Sequence, residues 1–354
     1  MSIKSTEQSQ NNPNSYQTQP DINTNKYVVN PETLATILAK YDISNFTYKE
    51  SLGGIENTTI FVFAKNQNFV LRVYRAGSKT DEQIQTEIDF IYFLRENDFS
   101  TPDIFANKDD ELLTKVTIDG QEWQFILMEK IYTREIPQNE WVKDQDLLQN
   151  MAQTQAKLHL LGAEFAQISL DNDYDTKVAE SGVGKTLSTR INQLKETIST
   201  DPKINEIISN IESINYEFNP FLPFGYIHDD IDWNNLLIDD NDEIFVIDFG
   251  DLRVGPLVSC LGSGLFTAIL SAFELGENIQ NVAQKYIDFY SEVRELTDEE
   301  LVQLYKPIVL TLDLFIVTEI LLTNTINTKV QSYLKLKNEV LQLVFKQEDI
   351  SDED

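Results

Sequence analysis

The stretch YIHDDIDWNNLLIDDNDEIFVIDFGD, residues 226–251, decides the fold. Asp230 and Asn235 stand five apart, and Asp248 follows 18 residues after Asp230, at the end of the apolar run Ile244-Phe245-Val246-Ile247. The pattern is H-x-D-x-x-x-x-N, a short hairpin turning at Asp239–Glu243, then D-F-G. Phosphoryl transfer calls for this set. One carboxylate orients the attacking hydroxyl and takes its proton, while a second carboxylate and an amide oxygen hold Mg²⁺ against nucleotide phosphates. Short strands would fix the three groups at one edge of a rigid hairpin. An acidic surface turn explains Asp239, Asp240, Asp242 and Glu243 but not Asp248. The apolar strand is expected to deliver Asp248 inward, where a carboxylate needs a partner or a metal.

Outward from this segment the chain changes texture. Asn30-Pro31-Glu32 opens a helix to about Tyr41, with an N-cap, a proline at the first position and an early acid. Strand patterns follow at Phe46–Leu52, Thr58–Ala64 and Phe69–Tyr74, then a helix capped by Thr80-Asp81 and running to Arg95. Glu111–Ile118 and Glu122–Met128 read as two strands joined at Asp119-Gly120. Beyond about Lys130 helical patterns dominate, among them Leu147–Leu161 and most of Cys260–Lys346, broken by short strands at Tyr226–Ile227, Leu236–Ile238 and Ile244–Ile247. The plan is α+β and bilobal: a small antiparallel-sheet lobe followed by a larger, mainly helical one. The expected domains are a disordered tail over 1–27, a strand-rich nucleotide-binding lobe over 28–130, a helical lobe over 131–346 with the catalytic loop and acceptor site, and an acidic tail over 347–354.

Composition narrows the partners. The 354 residues carry 28 Lys and Arg against 58 Asp and Glu, a net charge of −30, with no basic run to hold nucleic acid or an anionic membrane. One cysteine, Cys260, and two histidines, His159 and His228, exclude an internal disulfide and the usual Cys/His zinc site. No signal-peptide core stands at the N-terminus. The apolar stretch Pro307–Leu322 contains Asp313 and Glu319, so it reads as a buried helix rather than a membrane span, and a cytoplasmic location is expected.

In the strand-rich lobe Arg72 interrupts an apolar strand, suited to reaching nucleotide phosphates, and Glu87 in the next helix is its expected partner. Gly53-Gly54 would let a loop backbone approach phosphate. Met128 and Glu129, at the seam between the lobes, are counted with the nucleotide-binding residues.

Three stretches, LGGIENTTIFVFAKNQNFVLRVYR (52–75), MAQTQAKLHLLG (151–162) and 226–251, make the chain resemble the aminoglycoside phosphotransferase and choline kinase-like family, small-molecule relatives of the protein kinases. The first resembles homoserine kinases of this fold and further bacterial members in equal measure. The resemblance implies a protein-kinase-like fold and an ATP- or GTP-dependent, Mg²⁺-dependent kinase acting on a small-molecule hydroxyl acceptor. Asp230 would be the catalytic Asp, Asn235 and Asp248 the metal ligands, and Asp251 a support of the loop. Both histidines fall on motif positions with structural roles. The sequence departs from the family at Asp229, where a Gly is usual, at Asp232, where many members have His, and at Cys260, where an Asp is common.

Other readings stay open. A protein Ser/Thr kinase of the same fold or a silent kinase-shaped binding module would share these elements, although the complete Asp230, Asn235 and Asp248 set argues against silence. Ala179–Thr186 matches a relaxed phosphate-loop pattern ending Gly184-Lys185-Thr186, but a polar, charged stretch precedes it instead of a buried strand. That segment reads as a flexible connection before a helix over Ser188–Thr197. An acidic cleft would concentrate an amine-bearing acceptor, yet a chain this acidic need not have a special cleft. Oligomeric state is not legible.

Overall fold

The computed structural model describes residues 30–50, 57–74, 77–118, 120–134, 136–137, 140–169, 182–198 and 201–345. Both tails, Gly53-Gly54 and Asp119 lie outside the described residues. In chain order come α1 (Pro31–Ala39), β1 (Phe46–Glu50), β2 (Asn57–Ala64), β3 (Asn68–Tyr74), α2 (Asp81–Glu96), β4 (Ile104–Phe105), β5 (Thr114–Ile118) and β6 (Gln121–Glu129). Then follow α3 (Glu140–Lys143), α4 (Gln145–Ser169), α5 (Gly182–Ile198), α6 (Pro202–Glu212), β7 (Phe224–Ile227), β8 (Leu236–Ile238), β9 (Ile244–Val246) and β10 (Arg253–Pro256). The chain closes with α7 (Leu257–Leu275), α8 (Ile279–Ser291), α9 (Asp298–Gln303), α10 (Tyr305–Thr323) and α11 (Thr328–Val340). It divides into two compact units, one of Met1–Gln85 with Ile104–Lys130 and one of Thr86–Asp103 with Ile131–Asp354.

In the first unit a six-stranded antiparallel sheet runs β1-β2-β3-β6-β4, with β5 also on β6. Strand alternation puts Ile60, Val62, Leu71, Val73, Phe125 and Leu127 on one face, and the registers Ile60↔Leu71 and Leu71↔Leu127 stack them across strands. Leu34, Ile37 and Leu38 of α1 close that core. The helix starts as its sequence asks: the Asn30 side chain accepts from Thr33 N at 2.8 Å, one residue before Pro31. α2 starts on a reciprocal cap, Thr80 Oγ1 accepting from Gln83 N and Thr80 N donating to Gln83 Oε1.

The second unit is helical around α4, α7 and α10, with two two-stranded ribbons, β7–β10 and β8–β9. α4 meets β7 so closely that a Cβ on Gly162 would lie 2.1 Å from Tyr226 O, and one on Gly225 would lie 2.6 Å from Ala163 N. Only glycine fits at that crossing, and it fixes the strand from which the loop after Ile227 departs. α7 is long and apolar enough to cross a membrane, yet 83% of that apolar window is buried inside the unit. It outdoes the Pro307–Leu322 stretch in that respect. α10 is the buried helix expected there, and it carries a fully buried Asp313 that accepts from Lys337 Nζ of α11 at 2.6 Å and from the Tyr216 hydroxyl.

Three boundaries differ from expectation, each for a local reason. The strand expected from Glu111 begins at Thr114, because the Asn107 side chain accepts from Asp109 N and Glu111 N and holds those residues in a turn. Residues 86–103, expected in the strand-rich lobe, belong to the second unit, where Phe90 packs on Phe165, Tyr226 and Phe249. The helix expected from Ser188 already starts at Gly182, so Lys185 is an exposed residue inside α5 and not part of a connection. Residues 170–181 lie outside the described residues.

The Asp313–Lys337 pair gives a stability test. Lys337→Met leaves a buried carboxylate without its cation, and urea unfolding should show a loss of about 3–5 kcal/mol. The double variant Asp313→Leu/Lys337→Met should lose clearly less than the two single losses added together. Additive losses would mean the charges are independent.

Candidate active site

β7 leads directly into the site. Its last residue, Ile227, pairs with Arg253 of β10, and His228 follows, fully buried. His228 Nε2 lies 2.8 Å from Ile247 O, and a carbonyl only accepts, so this nitrogen carries the proton. The ring sits 4.9 Å from that of buried Phe249, itself packed on Phe90. Burial lowers the His228 pKa against the opposing pull of Ile247 O, Asp248, Asp232 and Asp229. The imidazole is therefore a neutral strut between the loop and the end of β9. His159 is likewise buried and structural, its Nδ1 2.7 Å from the Tyr290 hydroxyl.

Within the loop, Asn235 Nδ2 donates to Asp230 O at 2.8 Å and to Asp230 Oδ2 at 3.0 Å. One buried amide thus closes the five-residue span and orients the carboxyl, leaving the amide oxygen for another partner. Asp232 shapes the turn between them, its Oδ1 accepting from Asn234 N at 2.7 Å and from Asn235 N at 3.2 Å. Ile247 N donates to Asn235 O at 3.0 Å, which ties the loop to the β8–β9 hairpin with register Leu236↔Val246, Leu237↔Phe245 and Ile238↔Ile244. The hairpin turn is closed by Asp239 Oδ1, acceptor for Asn241 N and Glu243 N. Trp233, in mid-loop, lies with its ring 4.9 Å from that of buried Trp141.

Asp248 corrects an expectation. The strand does not bury it: Asp248 takes a left-handed backbone, φ 63°, turns off β9 and is exposed, its Oδ1 3.3 Å from Gly250 N. Asp230 is exposed as well, and Asp251 beside them. The crowding of protein around the Asp230 carboxyl raises its pKa to about 7, with Asp232, Asp251 and Asp248 pushing the same way and the Asn235 amide opposing. The group's open surface is no contradiction, since its carboxyl stands on packed protein while its remaining face meets solvent. Desolvation also raises the pKa of Asp232.

The expected nucleotide-binding residues fall in both units. Arg72 is buried in β3 of the first, opposite Thr59 and Ile126, with its guanidinium carbon 5.4 Å from the Tyr74 ring centroid. Met128 pairs with Val70 and Ile104, and Glu129 with Phe69. Glu87 is buried in the part of α2 that belongs to the second unit.

Sequence reasoning missed Arg253. Its Nε donates to Asp229 Oδ2 at 2.6 Å and its Nη2 to Asp229 Oδ1 at 2.8 Å, a bidentate pair on the residue before Asp230. The signal was present: Arg253 is the only Lys or Arg between Lys203 and Lys285, and twelve Asp and Glu separate it from Lys203.

The donors present fit Mg²⁺. A carboxylate on Asp248 and an amide oxygen on Asn235 are hard oxygen ligands, and Asp251 and Asp232 add negative charge close to Asp230. Among the described residues no group of three His, Cys, Asp or Glu is arranged to hold a metal alone. Mg²⁺ takes one or two carboxylates and completes its shell with water and substrate phosphate.

Residues 47–295 match the phosphotransferase enzyme family, and the chain belongs to that family. It is a phosphotransferase of the kind that acts on an alcohol group. Its α+β, protein-kinase-like fold recurs in solved structures. An amicoumacin kinase in complex with AMP-PNP, Ca²⁺ and Ami is 14% identical, with a TM-score of 0.63 over 89% of this chain and 95% of that one. A microcompartment-associated aminopropanol kinase is 18% identical, TM-score 0.56, over 88% of this chain and 94% of that one. A Plasmodium vivax ethanolamine kinase is 14% identical, TM-score 0.54, over 88% and 89%. No curated protein sequence matches the chain.

The electrostatics give a direct test. In the metal-free protein the Asp230 carboxyl should titrate at about 7 by ¹³C NMR, neutral below that pH and charged above it. Asp232→Asn keeps the turn's oxygen acceptor and deletes a like charge, so it should move the midpoint down. A wild-type midpoint near the ordinary Asp value of about 4 would contradict the assigned environment.

Proposed function

We propose that the protein is a Mg²⁺-dependent kinase that moves the γ-phosphate of ATP or GTP to the hydroxyl of a small, amine-bearing alcohol. The observation that carries the reading is the Asn235 amide clamped on Asp230, tied through Asn235 O to the hairpin that leads to Asp248. Asp230 is the catalytic carboxylate. Ionised, its oxygen takes the proton of the attacking hydroxyl, and a pKa near the working pH suits that exchange. Asn235 holds the carboxyl in one orientation, so its lone pairs already face the acceptor. Asn235 and Asp248 would hold Mg²⁺, which when bound neutralises the charge of the phosphates. Arg72, Glu87, Met128 and Glu129 are assigned to the nucleotide, with Arg72 the cation for its phosphates; Gly53 and Gly54 are assigned to the same role.

Support for an amine-bearing acceptor comes from the acidic rim of Asp230, Asp248 and Asp251, with Asp232 beside it, on a chain of net charge −30. The amino alcohols named for the aminopropanol and ethanolamine kinases of the same fold point the same way.

Asp230→Asn should lower turnover by about 10²–10⁴ and leave Mg²⁺-nucleotide affinity nearly unchanged, because general-base terms act on the reacting hydroxyl. Asp248→Ala should instead abolish Mg²⁺-dependent nucleotide binding in calorimetry. Lys185→Ala, on the outside of α5, should change kcat/KM by less than about threefold. Near-normal turnover in Asp230→Asn, or a severe Lys185 defect, overturns the assignment.

A further inference from the structure

We infer that Arg253 is a positioning residue for the transfer: its bidentate grip on Asp229 fixes the left-handed turn of the backbone before Asp230. The inference rests on the reading of Asp230 as the catalytic carboxylate. Asp229 has φ 61°, a region that L residues other than Asn and Asp seldom enter. It stands between Ile227–His228, fixed by β7 and the buried imidazole, and Asp230, so its backbone angle sets where the Asp230 carboxyl points. A glycine would adopt this angle unaided. Asp229 instead carries a carboxylate that is 9% exposed and is met by a guanidinium that is 14% exposed.

The guanidinium is itself held from several sides. Arg253 pairs with Ile227 across the β7–β10 ribbon, so its Cα is registered to the residue two before Asp229. Nη2 also donates to Ser259 Oγ at 3.2 Å, in the first turn of α7. Gly255 leaves the space the head group occupies, since a Cβ there would lie 2.4 Å from Arg253 Nη1. Nη1 is buried and finds no hydrogen-bond partner among the described residues, the cost accepted for aiming the other two nitrogens at Asp229. Below the loop lies the Cys260 thiol, kept neutral by burial and the Asp229 charge, which push its pKa up to about 11. The carboxylate beside this turn therefore belongs to the loop and is neutralised from β10, whereas α7 contributes only uncharged groups, the Ser259 hydroxyl and the Cys260 thiol. The pairing also keeps the Asp229 charge from adding to those of Asp232, Asp248 and Asp251 around Asp230.

The test compares full-length wild type, Arg253→Gln, Arg253→Lys and the double variant Asp229→Gly/Arg253→Gln. ADP release from Mg²⁺-ATP is measured with water alone and with ethanolamine as probe acceptor, beside the Kd for Mg²⁺-ATP. Arg253→Gln should lose about 10²-fold in kcat, the scale of a misplaced reacting group, with Kd changed by less than about threefold. Arg253→Lys, lacking the planar fork, should not rescue. The double variant should recover to within about tenfold of wild type, because glycine takes the turn with no charge left unpaired. Arg253→Gln at wild-type kcat, or a folded double variant as slow as the single, overturns the inference. If Arg253→Gln fails to fold, the double variant decides by the same criterion.

A second readout needs no turnover. The Asn235 side-chain amide, bonded to Asp230, should give a shifted, exchange-protected ¹⁵N NMR pair in wild type, lost in Arg253→Gln and restored in the double variant. Retention of that pair in Arg253→Gln overturns the inference even if the wild type releases no ADP, a result that would count against the proposed function instead. Asp230→Asn separates the two further. If it is inert while Arg253→Gln runs at full speed, the positioning role alone falls; if it is fully active, the catalytic assignment falls.

Discussion

The site depends on one amide. Asn235 Nδ2 holds both the backbone carbonyl and the carboxyl of Asp230, and Asn235 O receives Ile247 N from the strand that ends at Asp248. Those bonds turn three residues spread over 18 positions into one rigid constellation. Everything around them serves that closure: the glycine crossing of α4 on β7, the buried His228 between loop and strand, and the aromatic packing of Phe90, Phe165, Tyr226 and Phe249 beneath. Loss of the amide frees the Asp230 carboxyl to rotate, and a carboxyl free to rotate meets a substrate hydroxyl only part of the time.

Charge is handled differently in the core and at the rim. Two buried acids of the second unit are paired with cations: Asp313 with Lys337 at 2.6 Å, and Glu300, which also closes the capping box of α9, with Arg294 at 2.7 Å. At the rim Asp230, Asp248 and Asp251 stand together, and burial of the Asp230 carboxyl, with these neighbouring charges adding to it, raises its pKa to about 7. A carboxyl so placed binds a proton or a cation more readily than an isolated one. Both are what a phosphoryl-transfer site asks of it.

Much of this was legible from residue spacing. The five-residue step from Asp230 to Asn235 and the alternation of Leu236–Ile238 and Ile244–Val246 foretold a loop and hairpin, and both are observed. Strand periodicity located β2, β3 and β6, and the caps at Asn30 and Thr80 opened the helices they promised. What escaped were features that periodicity does not encode. Asp248 follows an apolar strand, but its left-handed backbone turns it outward, and alternation carries no information about a single residue's φ. Arg253 lies 24 residues from Asp229, and only the pairing of β10 with β7 brings them together. The start of β5 was obscured because the Asn107 turn competes through a side chain four residues earlier than Glu111.

Transfer itself is most directly measured by ³¹P NMR of Mg²⁺-ATP incubated with the protein and, in turn, ethanolamine, 1-amino-2-propanol and an aminoglycoside. The account predicts a phosphomonoester signal with at least one of these acceptors, growing in step with ADP and absent without the acceptor. ADP accompanied only by inorganic phosphate, at a rate indifferent to every acceptor, would contradict it.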